Sequence, residues 1–253
     1  MKINIEMTSM LRRYLVKFIA RVIIFVMILI LYVRYREWTT EFLKHSFWTV
    51  EVSPFRFPIT PLHVLWFLFM LIMLRHIFPG FSSKLTMALR KSKKEEYVPV
   101  PGYDEKELLK YVQKQNIRAW QVMLIWLSCN AVFGALYLAG VLKEADLLML
   151  TVFYFLCDYI CILFFCPFQT GVMKNKCCVN CRIYDWGHFM MFTPMLFIKS
   201  FFSWSLFFTS LVVLIHWEIL YAKYPERFWE GSNQVLRCSQ CKDKTCGIKK
   251  SIL

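Results

Sequence analysis

Acidic residues are scarce in this chain: 17 Asp and Glu stand against 31 Lys and Arg, for a net charge of +14. No RNA- or DNA-binding module accompanies that surplus, so nucleic acid is not the expected partner. Glycine and proline number only 8 and 9, and no Gly/Ser linker, low-complexity tract or internal repeat divides the chain. Phosphate-binding glycine loops, H-E-x-x-H, G-x-S-x-G and paired-carboxylate constellations are all missing, which argues against nucleotide-driven and hydrolytic chemistry. The absence of C-x-x-C-H removes the usual signal for covalent haem.

Apolar residues fill the space left by these absences. The chain is 58% hydrophobic and 18% aromatic, with a mean hydropathy of +0.45. These values exceed those of a soluble domain of this length and identify an integral membrane protein. The basic surplus then has a natural partner in the lipid bilayer, at its anionic cytoplasmic leaflet. Arg12, Arg13, Lys17 and Arg21 precede the run Val22 to Val33 much as in a signal peptide. No small-residue cleavage site follows, so the run reads as a retained first span.

Residues 14–34, 60–78, 119–142 and 145–166 meet or approach the roughly 20 apolar residues needed to cross the hydrocarbon core. The turn Lys143-Glu144-Ala145 makes the last two antiparallel neighbours. A stretch of 34 residues, 188–221, is too long for one crossing and short for two. Pro194 and Lys199-Ser200 break it. An interfacial helix followed by one span would place the tail outside, whereas a compressed or re-entrant hairpin returns it inside. The tail's seven Lys/Arg favour the hairpin. The expected fold is all-α: a polytopic integral membrane helical bundle with about five or six membrane-embedded helices.

The chain reads as a single membrane domain, 1–253, carrying a mixed-charge insertion 79–118, a Cys-rich loop 167–187 and a Cys-rich basic tail 222–253. The insertion holds nine Lys/Arg and is expected to contain a helix from Asp104 to Arg118, N-capped by Asp104, with Leu108, Leu109, Val112 and Ile117 along one side. By the positive-inside rule this loop and the N-terminus are cytoplasmic, and the balanced, aromatic segment 35–60 lies outside. A bacterial-type plasma (inner) membrane is the default location.

Cysteine is the residue with chemical content. Of ten, six fall in two clusters, Cys177-Cys178-Val179-Asn180-Cys181 and Cys238-Ser239-Gln240-Cys241 with Cys246 beyond. C-x-x-C spacing lets two thiolates share one metal ion, one iron–sulfur corner or one disulfide. Cys177 or Cys178 with Cys181, Cys238 and Cys241 would complete a zinc site or a four-iron cluster, with Cys246 in reserve. Six neighbouring Lys and Arg side chains suit a negatively charged thiolate centre. An extracytoplasmic disulfide in the tail, or acylation at Cys177-Cys178, are the alternatives.

Within the fourth span, Asp158 is flanked by Cys157 and Cys161, and an ionisable group there faces a partner, a bundle interior or a water path. It is expected to act as a proton carrier or as a hydrogen-bond anchor between helices. Cys129, Cys157 and Cys161 read as small packing residues, and His188 as an interfacial polar group or a further ligand. The expected function is a cysteine-ligated metal centre, iron–sulfur or zinc, at the cytoplasmic face. It would serve membrane electron transfer, with quinone or a redox or transport partner protein, or stabilise such a complex. The rivals are a quinone-coupled thiol–disulfide oxidoreductase and a noncatalytic assembly or transport subunit.

Overall fold

Hydropathy and capping residues together set the helices in the computed structural model, which describes residues 7–34, 48–52, 55–78, 90–91, 93–178, 180–241 and 243–252. In chain order they are α1 Ser9–Arg34, a hairpin of β1 Trp48–Val52 and β2 Phe55–Ile59, α2 Pro61–Ile77, α3 Glu105–Leu138, α4 Glu144–Leu163, the short α5 Gly187–Phe192, α6 Phe201–Lys223 and α7 Cys246–Ile252. The architecture is an all-α bundle. Four helices, α1, α3, α4 and α6, are long and apolar enough to cross a membrane. At 17 residues α2 is shorter, about 25 Å.

Local chemistry explains the boundaries. Asp104 caps α3 by accepting the Lys106 N–H at 2.8 Å, as its position suggests. At the other end Gly140 takes φ +77 to reverse the chain. The Lys143 N–H donates to Asp146 at 2.7 Å and starts α4. Ser200 caps α6 by accepting the Ser203 N–H at 3.1 Å.

Three features depart from the sequence reading. The helix expected over 104–118 does not end there: it runs unbroken through Arg118 as one 34-residue α3, because nothing in the sequence between breaks helical hydrogen bonding. Its buried stripe is Leu108, Gln115, Ala119, Val122, Asn130 and Gly134, with Val112 against the core, while Leu109 and Ile117 are exposed. The segment 35–60 contributes the β1–β2 hairpin, paired from Trp48↔Ile59 to Val52↔Phe55. Finally, α3 and α4 meet through Trp126 and Tyr154, with ring centroids 4.6 Å apart, but the 3-10 turn Thr193–Phe197 is inserted alongside both. Gly134 makes room for it, since the Phe197 ring stands where a Cβ at 134 would lie.

The ambiguous stretch 188–221 folds back on itself. Trp186 donates to Glu218 and Trp204 to the Leu196 carbonyl, so 187–197 descends along α6 over about 21 Å and α6 returns. Contacts between α1 and α4 run antiparallel, through Tyr32–Asp146, Phe25–Phe153 and Phe18–Phe164. His63 of α2 sits on Phe202 and His76 on His188. These registers bring the start of α1, the end of α2, the start of α3, the 164–186 loop and the tail to one end of the bundle. The β hairpin and the 139–143 turn lie at the other.

Candidate thiol-rich end cap

At the loop-bearing end the chain leaves α4 at Leu163, makes a π-helical turn over Phe168–Val172 and then presents the first cysteine cluster. Cys178 to Cys181 forms a tight turn closed by the Cys181 N–H on the Cys178 carbonyl at 2.9 Å, and Cys238 to Cys241 repeats it at 3.3 Å. Arg182, just after the first turn, grips Glu218 of α6 with both Nη atoms, at 3.0 and 2.7 Å. Such a bidentate pair fixes orientation as well as distance. The tail is tied to the insertion by Val100 N–H to Ser232 O and Gln234 N–H to Val98 O, at 3.0 and 2.9 Å. The buried Asn233 adds a bond from its amide to the Arg227 carbonyl.

All ten cysteines are free thiols. Two sulfurs accept backbone N–H groups, Cys166 from Gln169 and Cys241 from Lys244, both at 3.4 Å, and the Asn180 and Ile183 N–H groups act in the same sense on the Cys177 and Cys181 thiols. Donors aimed at sulfur favour the thiolate. Burial opposes them. It holds the Cys177 thiol above its ordinary range and pushes Cys181, 1% exposed, up to about 11.

The two clusters share one end but divide into two neighbourhoods. Cys177 and Cys241 both pack on Leu236, with Cys246 near enough to act on the Cys177 charge. Cys178 turns instead toward Cys166, which also has Cys161 beside it. Hydrogen bonding to Cys166 and burial raise the Cys178 thiol, while bonds from Cys161 and Cys178 and the Gln169 N–H hold Cys166 low. Cys238 is exposed. Among the described residues no three His, Cys, Asp or Glu side chains form a group that could hold a metal ion. The set Cys177 or Cys178 with Cys181, Cys238 and Cys241, and Cys246 in reserve, is thus not brought together as three or more ligands around one point.

Two lysines complete the cap, and neither stands out in the sequence. Lys91 is 1% exposed and its charge acts on Cys177, Cys181 and Asp185. Lys249, on α7, reaches into the bundle to donate to the Cys161 carbonyl and to Gln169 Oε1, both at 2.8 Å. Both sit in charge-rich stretches that read as solvated. Asp185 is buried, its Oδ1 has no hydrogen-bond partner among the described residues, and burial lifts its carboxyl to about 6 despite Lys91.

Asp158 has a specific partner: Arg21 of α1, Nη1 to Oδ2 at 2.8 Å. The guanidinium also lies over the Phe155 and Tyr159 rings, at 3.9 and 4.0 Å. Gly187 is closely opposed, since a Cβ there would stand 3.1 Å from Asp158 Oδ1. This is the arrangement of an interhelix anchor. His188 stacks edge-on against His76, with centroids 4.6 Å apart, rather than turning to the thiols.

No family model, curated protein or solved structure matches the chain.

Proposed function

We propose that this membrane protein carries a cysteine-ligated metal centre, zinc or iron–sulfur, in its loop-bearing end. The centre serves membrane electron transfer or stabilises a membrane redox or transport complex. The observation that supports this most is that Cys177 and Cys241 pack together on Leu236 in one end cap, with Cys246 near and the Lys244 N–H donated to Cys241 at 3.4 Å. Such bonds tune thiolate ligands and set the potential of cysteine-bound clusters. Cys246 is the fourth ligand, and the buried Lys91 offsets thiolate charge. Closing the site requires the 238–246 loop to draw toward Cys181 when metal binds, which is ordinary coupling of ligation to folding. Lys244, at φ +45 within this loop, is the strained position from which such a shift would start.

The same end is the cytoplasmic one in this reading, because the basic insertion, the cysteine loop and the basic tail all gather there. The N-terminus is then cytoplasmic, and a plasma (inner) membrane is the location proposed. Replacing Cys181 or Cys241 by Ser should abolish bound metal, while Cys238→Ser should retain it. Metal content unchanged in both of the first two variants would reject the centre.

One observation favours a second reading. Cys166 is held low between two other thiols and near Lys249, the setting of a thiolate able to form a disulfide with Cys178. Oxidation of that dithiol would release two electrons and two protons, reducing a quinone to quinol. Maleimide labelling that does not change between reduced and quinone-treated membranes would dismiss it.

A further inference from the structure

A groove of about 580 Å³ lies outside the thiol cap, between α3 and the 168–174 turn. Arg118 and Lys174 line it together with Gln121, and Leu124, Ile125 and Val172 line the rest. Along α3 the order is cation, amide, then apolar pair, all on one face, with Ile125 about 10 Å deeper than Arg118. We propose that this groove binds an anionic phospholipid, its phosphate between Arg118 and Lys174 and the start of an acyl chain along Leu124 and Ile125.

The cationic end is built rather than incidental. Arg118 donates Nη1 to the Met173 carbonyl at 2.9 Å, which anchors the turn to α3 and leaves further guanidinium N–H groups for an acceptor. Lys174 takes φ +49, a left-handed conformation unusual for a side-chain-bearing residue. Two bonds hold it there: the Asn175 N–H on the Gln169 carbonyl at 3.0 Å, and the Gln169 amide on the Asn175 carbonyl at 2.7 Å. A basic pocket directly above lipid-facing apolar residues matches the chemistry of a phospholipid, with charge for the phosphate and hydrocarbon for the chain. Gly171 forms part of the wall, and a Cβ there would meet nothing within 4 Å, so a side chain at 171 starts in open space beside the groove. The proposal does not depend on the metal centre.

The test is native mass spectrometry of the full chain released from bilayer discs containing equal phosphatidylglycerol and phosphatidylcholine. The wild type should retain phosphatidylglycerol preferentially. Lys174→Glu should cut that preference about fivefold or more, the effect of one basic contact near an anionic surface, and Gly171→Phe, which crowds the groove, should lower it as well. Equal retention of the two lipids by the wild type, or unchanged preference in both variants, overturns the proposal. So does displacement of the lipid by millimolar glycerol phosphate, since the groove would then recognise phosphate alone.

Discussion

Arg21 and Asp158 form an ion pair within the apolar part of the bundle, and its removal should separate an anchor from a bystander. The pair is direct, at 2.8 Å, with the two side chains 18% and 33% exposed. Arg21→Met keeps much of the stem packing over Phe155 and Tyr159 but strands the carboxylate. Asp158→Leu strands the guanidinium. An unpaired charge at mid-span costs about 2.5–3.5 kcal/mol on insertion scales. Breaking a buried pair from one side costs about 3–5 kcal/mol in soluble proteins. Because both side chains keep some exposure, each single variant should lose about 3 kcal/mol. The double variant, with no charge left to strand, should come within about 1 kcal/mol of the wild type. Unfolding by denaturing detergent in mixed micelles, followed by circular dichroism, measures all four proteins. Additive losses, with the double variant worse than either single, would refute the anchor and return Asp158 to a role that requires its charge.

Other outcomes follow from the same contacts. Gly134→Ala drives a methyl group into the Phe197 ring and should cost about 1–3 kcal/mol, with Phe197→Leu in the same chain recovering most of it in a thermal melt. Asp185 titrates near 6 when folded and near 3.8 otherwise, so between those values the folded state holds a proton that the unfolded chain has released. Stability should therefore fall as pH rises from about 4 to about 6, by up to about 3 kcal/mol, and Asp185→Asn should flatten that slope. A slope unchanged in the variant would place the titration elsewhere. Glu218→Gln weakens the two-pronged grip of Arg182, a charged pair worth about 1.5–3 kcal/mol when well made, and should loosen the cysteine turn toward maleimide at Cys181. Labelling of Cys181 no faster than in the wild type would count against this.

The helices were legible because hydrocarbon thickness imposes a length and Asp104 marks an end by ordinary capping chemistry. The continuity of α3 was not, since a charged segment beside an apolar one looks like two elements even where the backbone hydrogen bonding never stops. Pro194 and Lys199-Ser200 gave the right breaks in 188–221, but which way the chain turned depended on Trp186, Arg182 and Glu218 meeting across 36 residues. The cysteine motifs announced a thiol-rich end, whereas their partners were hidden. Cys166 reads as the close of a span. Arg21 reads as a flank of one, and only the antiparallel register of α1 on α4 sets it opposite Asp158. Lys91 and Lys249 come from basic stretches in which any lysine looks solvated. Charge spacing alone carries no signal for burial of that kind.

The central claim is a thiolate metal centre. Its direct test is anaerobic purification of the full chain in detergent, with iron, zinc and acid-labile sulfide counted per protein and the visible spectrum recorded. The claim predicts either stoichiometric zinc without colour, or iron with sulfide and broad absorbance near roughly 400 nm, each lost on Cys181→Ser. Wild-type protein that is folded and holds none of these contradicts it.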